Sequence, residues 1–368
     1  MSEINSNNKN YITAHQCATI LIGSMVSLGM INLPADVVKN ANQDGWIAAI
    51  LGIAYPVYLV IMASFMAKTY PEKNILHLSK MCFGKVIGNI LNLIFISFFI
   101  LAETTVAAGL SNVLKIYITP FLESKKILIV MFMVPAFIAY KGLVNLARVN
   151  EVIFYITLPI FLIPIGAIKE GTILNLMPVF DTPAIDILKA TKNTFFAYTG
   201  AEILFLIYPF VKEKDKIKSA GLKASVITAF LYLWITFITI YYLGIDIVPK
   251  FLWPVITVSE SVMIPIINSF RYVAMVLNSI LIFRTLANNY YAVAFSVKEM
   301  VNKWKIENII LVLYVVFFII SLFYGNPVIR RSFINKIMPI YVPLNLLYIT
   351  VISICIFFKK GDKNVQKK

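Results

Sequence analysis

Apolar residues along the chain come in blocks of roughly 20, the length a helix needs to cross the hydrocarbon of a bilayer, with short charged or Pro/Gly-containing borders between them. Reading each block against its borders predicts spans over Ile12–Val38, Gly45–Ala67, Val86–Ile118, Ile127–Tyr140 and Val149–Ile168. Five more are predicted over Ile187–Val211, Ala220–Leu243, Ile264–Val297, Ile309–Tyr324 and Ile337–Phe358. Several exceed the bilayer thickness and are expected to tilt or to extend into water. The pattern therefore reads as one membrane domain over 1–368, all-α, with about ten transmembrane helices. An odd number of spans in each half makes the second half enter from the opposite face, so a first five-helix repeat over 12–170 and a second over 184–359 form a 5+5 inverted repeat.

Two spans carry interruptions at corresponding places. The first contains Gly23-Ser24-Met25-Val26-Ser27-Leu28-Gly29 and ends in Leu33-Pro34. Two glycines and two serines at that depth weaken a helix, because Gly loses more backbone freedom on ordering and Ser competes for backbone hydrogen bonds. The sixth span contains Tyr198-Thr199-Gly200 followed by Glu202. Peptide groups released in hydrocarbon must find partners, and a bound carboxylate or amine can supply them. Gly23, Ser24, Met25, Ser27, Gly29, Tyr198, Thr199 and Gly200 are therefore the candidate ligand-binding residues. For Gly23 and Gly29 the alternative stays open that they only let neighbouring helices pack closely.

Composition supports the membrane reading: 60% of residues are hydrophobic and 14% charged, with a mean hydropathy of +0.82, whereas a soluble domain is about a quarter charged. The formal net charge of +15 sits in clusters between apolar blocks and at the C-terminus, so it reads as topology and not as a nucleic-acid surface. Assigning alternate loops to opposite sides puts the larger share of Lys and Arg with the two termini, which predicts both termini cytoplasmic. The loop with Arg330, Arg331 and Lys336 runs against that bias. Met1 to Asn10 is polar and lacks the basic start and small-residue cleavage pattern of a signal peptide, so the first span is expected to be retained. Cys17, Cys82 and Cys355 are far apart and odd in number, which points neither to a disulfide framework nor to a metal site. With no spaced Cys/His cluster, nucleophile elbow or phosphate loop, the sequence predicts no cofactor and no enzyme chemistry.

Four charges fall inside predicted spans, Glu103, Glu202, Arg271 and Arg284, where a central charge costs at least ~2.5 kcal/mol. Glu103 on the third span and Arg271 or Arg284 on the eighth are candidates to neutralise one another, either as a structural pair or as a coupling site. Glu202 is read as accepting N–H groups at the sixth-span bend and so holding its geometry.

These stretches resemble the amino acid, polyamine and organocation transporter superfamily, through the Gly-rich break from Gly23 to Gly29 followed by an apolar run ending in Leu33-Pro34. That resemblance implies a LeuT-like fold with broken first and sixth helices. Ser27-Leu28 departs from the superfamily's usual Gly-Ser before the last Gly. Further stretches resemble the permease-like B subunits of spore-germination nutrient receptors: Gly142 to Glu151, Asn175 to Phe180, and Phe196 to Leu204 continuing to Tyr208-Pro209-Phe210. Ser269-Phe270-Arg271-Tyr272 is similar to the pair that opens that family's eighth span, with Phe270 in place of the usual acid.

The resemblance implies a receptor subunit in the inner spore membrane that binds a small nutrient, such as an amino acid, and triggers germination with A-type membrane and C-type lipoprotein subunits. The alternative is an amino acid or amine transporter working by alternating access, with Glu103 and the eighth-span arginines as coupling candidates. Some proton-coupled members of the superfamily use a fifth-span lysine, and Val152 to Ala167 holds none. An ion-conducting pore is a third reading. Expected partners are the nutrient, membrane lipid and those subunits, with no nucleic acid.

Overall fold

A computed structural model describes residues 11–261 and 270–365, with side chains of the last helix through Lys359. Residues 264–269 of the eighth predicted span, Ser269 among them, lie outside the described residues. The first span is two helices, α1 (Ala14–Met25) and α2 (Leu28–Ala41), separated by extended backbone at Val26 and Ser27. Thr13 opens α1 with a capping box: its hydroxyl accepts from Gln16 N, and the Gln16 side chain accepts from Thr13 N, both at 3.1 Å. Asn42, at φ +46°, ends the first span, and the second follows as α3 (Gly45–Leu51) and α4 (Ala54–Thr69).

The long helix α5 (Ile75–Tyr117) is followed by α6 (Ser124–Tyr140) and α7 (Leu143–Thr157), the last continued by a 3-10 stretch to Lys169. The sixth span consists of α8 (Ala184–Thr194), a turn closed by Gly200 at φ +116°, and a tight helical segment that contains α9 (Leu204–Ile207) and ends at Phe210. Next come α10 (Ile217–Leu243), the short α11 (Pro254–Val258), α12 (Phe270–Met300), α13 (Ile306–Phe323) and α14 (Pro327–Val365). Within the described residues, every predicted segment falls on one or more of these helices. Among the described residues seven helical stretches are long and apolar enough to cross a membrane, Ile75–Tyr117 and Ile306–Phe323 among them.

The first span lies at the centre of the bundle. Helix α1 packs against α10 on one side and α7 and α12 on another, while α2 packs on α8 and α3. The start of the first span is also tied to the end of the sixth: Ile12 N donates to Phe210 O and Lys212 N to Ile12 O, each at 2.9 Å. Outward-facing side chains such as Leu93, Val130, Phe137, Phe230 and Leu311 are apolar and exposed, as a lipid-facing surface requires.

Helix α5 is not one straight rod. Gly84, at φ +77°, folds its first turns back, so that Ser79 donates to Gly88 O at 3.2 Å and Asn92 to Leu76 O at 3.1 Å. A Cβ on Gly88 would lie 2.7 Å from Lys80 Cα and 2.9 Å from Lys80 N, and backbone cannot move aside as a side-chain tip can. Gly88→Leu is expected to destabilise the purified protein by about 1–3 kcal/mol, read as a lowered melting temperature in detergent. Val86→Leu, at a neighbouring position that is 74% exposed, is expected to leave the melting temperature unchanged.

Candidate functional site

The two interruptions meet at the middle of the bundle. A Cβ on Gly200 would lie 2.3 Å from Ser24 O and 3.0 Å from Ser24 Cβ, and one on Gly29 would lie 3.0 Å from Ala197 Cα. The broken helices thus touch backbone to backbone. Gly200 is required twice over, by its positive φ and by that approach.

Several of the peptide groups around the breaks are taken up by side chains. Tyr232, on α10, places its hydroxyl 2.9 Å from Met25 O and 2.8 Å from Ala197 O, bridging the two breaks. Thr285, on α12, donates to Gly23 O at 2.7 Å. Asn288 reaches Ser24 Oγ at 3.0 Å and Ile20 O at 3.2 Å. Glu202 accepts the Gly200 N–H at 2.7 Å and the Tyr55 hydroxyl from α4. The physical reason is the cost of an unpaired peptide group away from water, several kcal/mol each.

What remains between the breaks is a small cavity of about 30 Å³, lined from the first span by Ser24, Met25, Ser27 and Gly29 and from the sixth by Phe196, Ala197, Thr199 and Gly200. Ala102, Thr105 and Val106 of α5 and Thr285 and Asn289 of α12 complete the wall. Ser27 is 7% exposed, and its hydroxyl has no hydrogen-bond partner. Thr199 and Ser24 spend their hydroxyls on Phe196 O, at 2.7 Å, and Ile20 O, at 2.9 Å.

Two predicted residues stand elsewhere. Gly23 sits on a regular turn of α1, where a Cβ would meet Asn150 Oδ1 at 2.3 Å and Arg284 Cδ at 2.6 Å, so its role is close packing. Tyr198 turns away from the cavity: its hydroxyl donates to Ala49 O at 2.7 Å and its ring meets Tyr232 edge-on at 4.8 Å.

The expected pairing of Glu103 with an eighth-span arginine does not form. Glu103 is fully buried on α5, and neither carboxyl oxygen has a hydrogen-bond partner. Arg271 instead pairs with Glu260 at 2.8 Å, beside the rings of Tyr117 and Tyr272. Arg284 is buried against Gly23, with Nε and Nη1 unpaired. Tyr55 and Tyr232 carry no sequence signal, since each is one aromatic residue among many in an apolar span. Asn288-Asn289, a polar pair deep in the eighth span, is the sequence signal for the Asn288 donor.

The arrangement of a broken first and sixth helix around a central cavity is that of a membrane permease. Its fold is similar to that of MhsT in complex with L-phenylalanine, with a TM-score of 0.67 at 12% identity over 94% of this chain and 88% of that one. It is also similar to a substrate-bound Na+-coupled sialic acid symporter, with a TM-score of 0.63 at 10% identity over 96% of this chain and 78% of that one. The chain belongs to the spore germination protein family, whose family model, described as "Spore germination protein", matches residues 11–328. Relatives include spore germination protein YndE of Bacillus subtilis, 27% identical over 79% of this chain and 82% of the relative. Spore germination protein GerQB of Bacillus cereus is 23% identical over 90% of this chain and 91% of the relative.

Tyr232→Phe keeps the ring and removes the bridging hydroxyl, leaving two buried carbonyls without that donor. It is expected to cost about 1–3 kcal/mol, measured as a fall in melting temperature in detergent. Tyr55→Phe, which removes a donor from Glu202, is expected to fall in the same range by the same measurement.

Proposed function

We propose that the chain is the permease-like subunit of a nutrient receptor in the inner spore membrane, which binds a small amino acid between the two broken helices and so promotes germination. The observation that carries this is the Ser27 hydroxyl, buried and without a partner on the wall of a cavity between the breaks. No charged side chain lines that cavity, so the charges of a zwitterion would be met by backbone. Helix α2 begins at Leu28 with no side-chain cap on its N-terminus, and α1 ends at Met25; the positive end of one suits a carboxylate and the negative end of the other an ammonium.

About 30 Å³ is room for little more than a water, so binding requires the breaks to separate. Phe196 lines both this cavity and a larger cleft of about 510 Å³ between α2, α8 and α14. As a residue common to both walls, it is a natural moving part. Asp36 and Lys39 of α2 line that cleft, and Asp36 pairs with Arg331 on α14, with Lys39 3.7 Å from the same carboxylate. The ligand acts by binding the opened state better than the closed one, and the shift is bounded by that difference in affinity.

The family relatives support sensing, and A-type and C-type germination subunits are the partners this reading requires. The likeness in fold to symporters favours a second reading, transport by alternating access, with 12–170 and 184–359 as the two repeats that rock against each other. Proteoliposomes holding this chain alone and supplied with radiolabelled amino acids decide between them. Binding without accumulation under an imposed proton or Na+ gradient is the receptor's outcome, and accumulation the transporter's. Loss of both overturns the site.

Ser27→Ala is expected to leave the melting temperature unchanged or slightly raised, since no hydrogen bond is lost, and to weaken amino acid binding about tenfold. A thermal-shift titration of the purified variant beside the parent chain reads both. Unchanged affinity would remove Ser27 from the site.

A further inference from the structure

One stretch that resembles the germination family, Gly142 to Glu151, takes no part in the cavity between the breaks. Together with the end of α12 and the start of α13 it walls a separate cleft of about 520 Å³. The cleft lies at the end of the bundle where α1 begins, because Phe210, whose carbonyl accepts from Ile12 N, forms part of its wall. Three cations line it, Lys141, Arg148 and Lys298, and no acidic side chain does. Among the described residues neither Lys141 nor Arg148 is in an ion pair, and both are exposed.

The remaining parts fit the same chemistry. Lys298 is held in place by donating to Asn302 O at 3.1 Å and Trp304 O at 2.6 Å. Lys141 lies over the rings of Phe137, at 5.2 Å, and Tyr140, at 5.5 Å. Tyr291 and Phe295 stack at 5.7 Å along the wall. Cations and aromatic rings at the ends of apolar helices mark headgroup depth. From there the exposed Met133 and Phe137 of α6 run into the hydrocarbon.

We propose that this cleft binds the phosphate headgroup of an anionic membrane lipid, with Lys141, Arg148 and Lys298 around the phosphate and the acyl chains along α6. A concentration of positive charge at headgroup depth attracts anionic lipid at about 1 kcal/mol per Lys or Arg. The apolar flank of α6 favours a lipid over a free anion or an acidic protein segment, neither of which would use it. This inference does not rest on the amino acid reading of the central cavity.

The test is native mass spectrometry of the purified full chain titrated with phosphatidylglycerol or with phosphatidylcholine of the same acyl chains. The parent chain is expected to hold one phosphatidylglycerol at least about tenfold more tightly than phosphatidylcholine. Lys141→Gln with Arg148→Gln is expected to lose that preference, whereas Arg148→Lys keeps it. Lys125→Gln with Lys126→Gln, at the far end of α6, is also expected to keep it, which separates a site from general surface charge. Should the double variant fail to fold, Arg148→Gln alone is expected to show a partial loss at an unchanged melting temperature. Equal retention of the two lipids, an unchanged preference in the variant with both Lys141→Gln and Arg148→Gln, or full displacement of the lipid by millimolar inorganic phosphate would overturn the proposal. So would preferential capture of a soluble acidic peptide over the lipid.

Discussion

The structure depends on the direct contact of two interrupted helices, Gly200 against the Ser24 carbonyl and Gly29 against Ala197. Interrupting a helix in hydrocarbon is tolerable only if the released peptide groups are satisfied. Bringing two interruptions together lets one set of donors serve both. Tyr232 does so most economically, with one hydroxyl between the Met25 and Ala197 carbonyls. The same contact explains why α1 lies deep in the bundle, with intact helices α7, α10 and α12 around it.

The distribution of charge follows from the same solvent. Arg330 and Arg331, which run against the loop-charge bias, are not loose interfacial cations. Arg330 is 3% exposed and donates to Thr105 O at 3.2 Å, and Arg331 pairs with Asp36. Engaged in this way they hold α14 to α5 and α2. By contrast Lys141 and Arg148 have no acidic partner among the described residues.

A central cavity of about 30 Å³ lies beside a cleft of about 510 Å³, and Phe196 lines both. The tie between Ile12 and Val211 at one end and the Tyr232 bridge in the middle couple the first and sixth spans. Displacing one of these spans therefore displaces the other. That is the kind of two-state element a receptor needs to pass on occupancy, and a transporter uses the same element to alternate access.

The placement of apolar blocks and the interruption at Gly200 were legible along the chain, because hydrocarbon length and the positive φ that glycine adopts act locally. The role of Glu202 was legible too, since its carboxyl reaches back only two residues, to the Gly200 N–H. Tertiary packing alone decided that Gly23 makes room for Arg284 and Asn150, that Tyr198 faces Ala49, and that Glu103 has no arginine beside it. It also decided which distant residues, Tyr232, Thr285 and Asn288, supply the missing donors. Pattern and spacing report what a residue can do within its own turn of helix. Which neighbour answers it across the bundle depends on how helices far apart in sequence are rotated against one another.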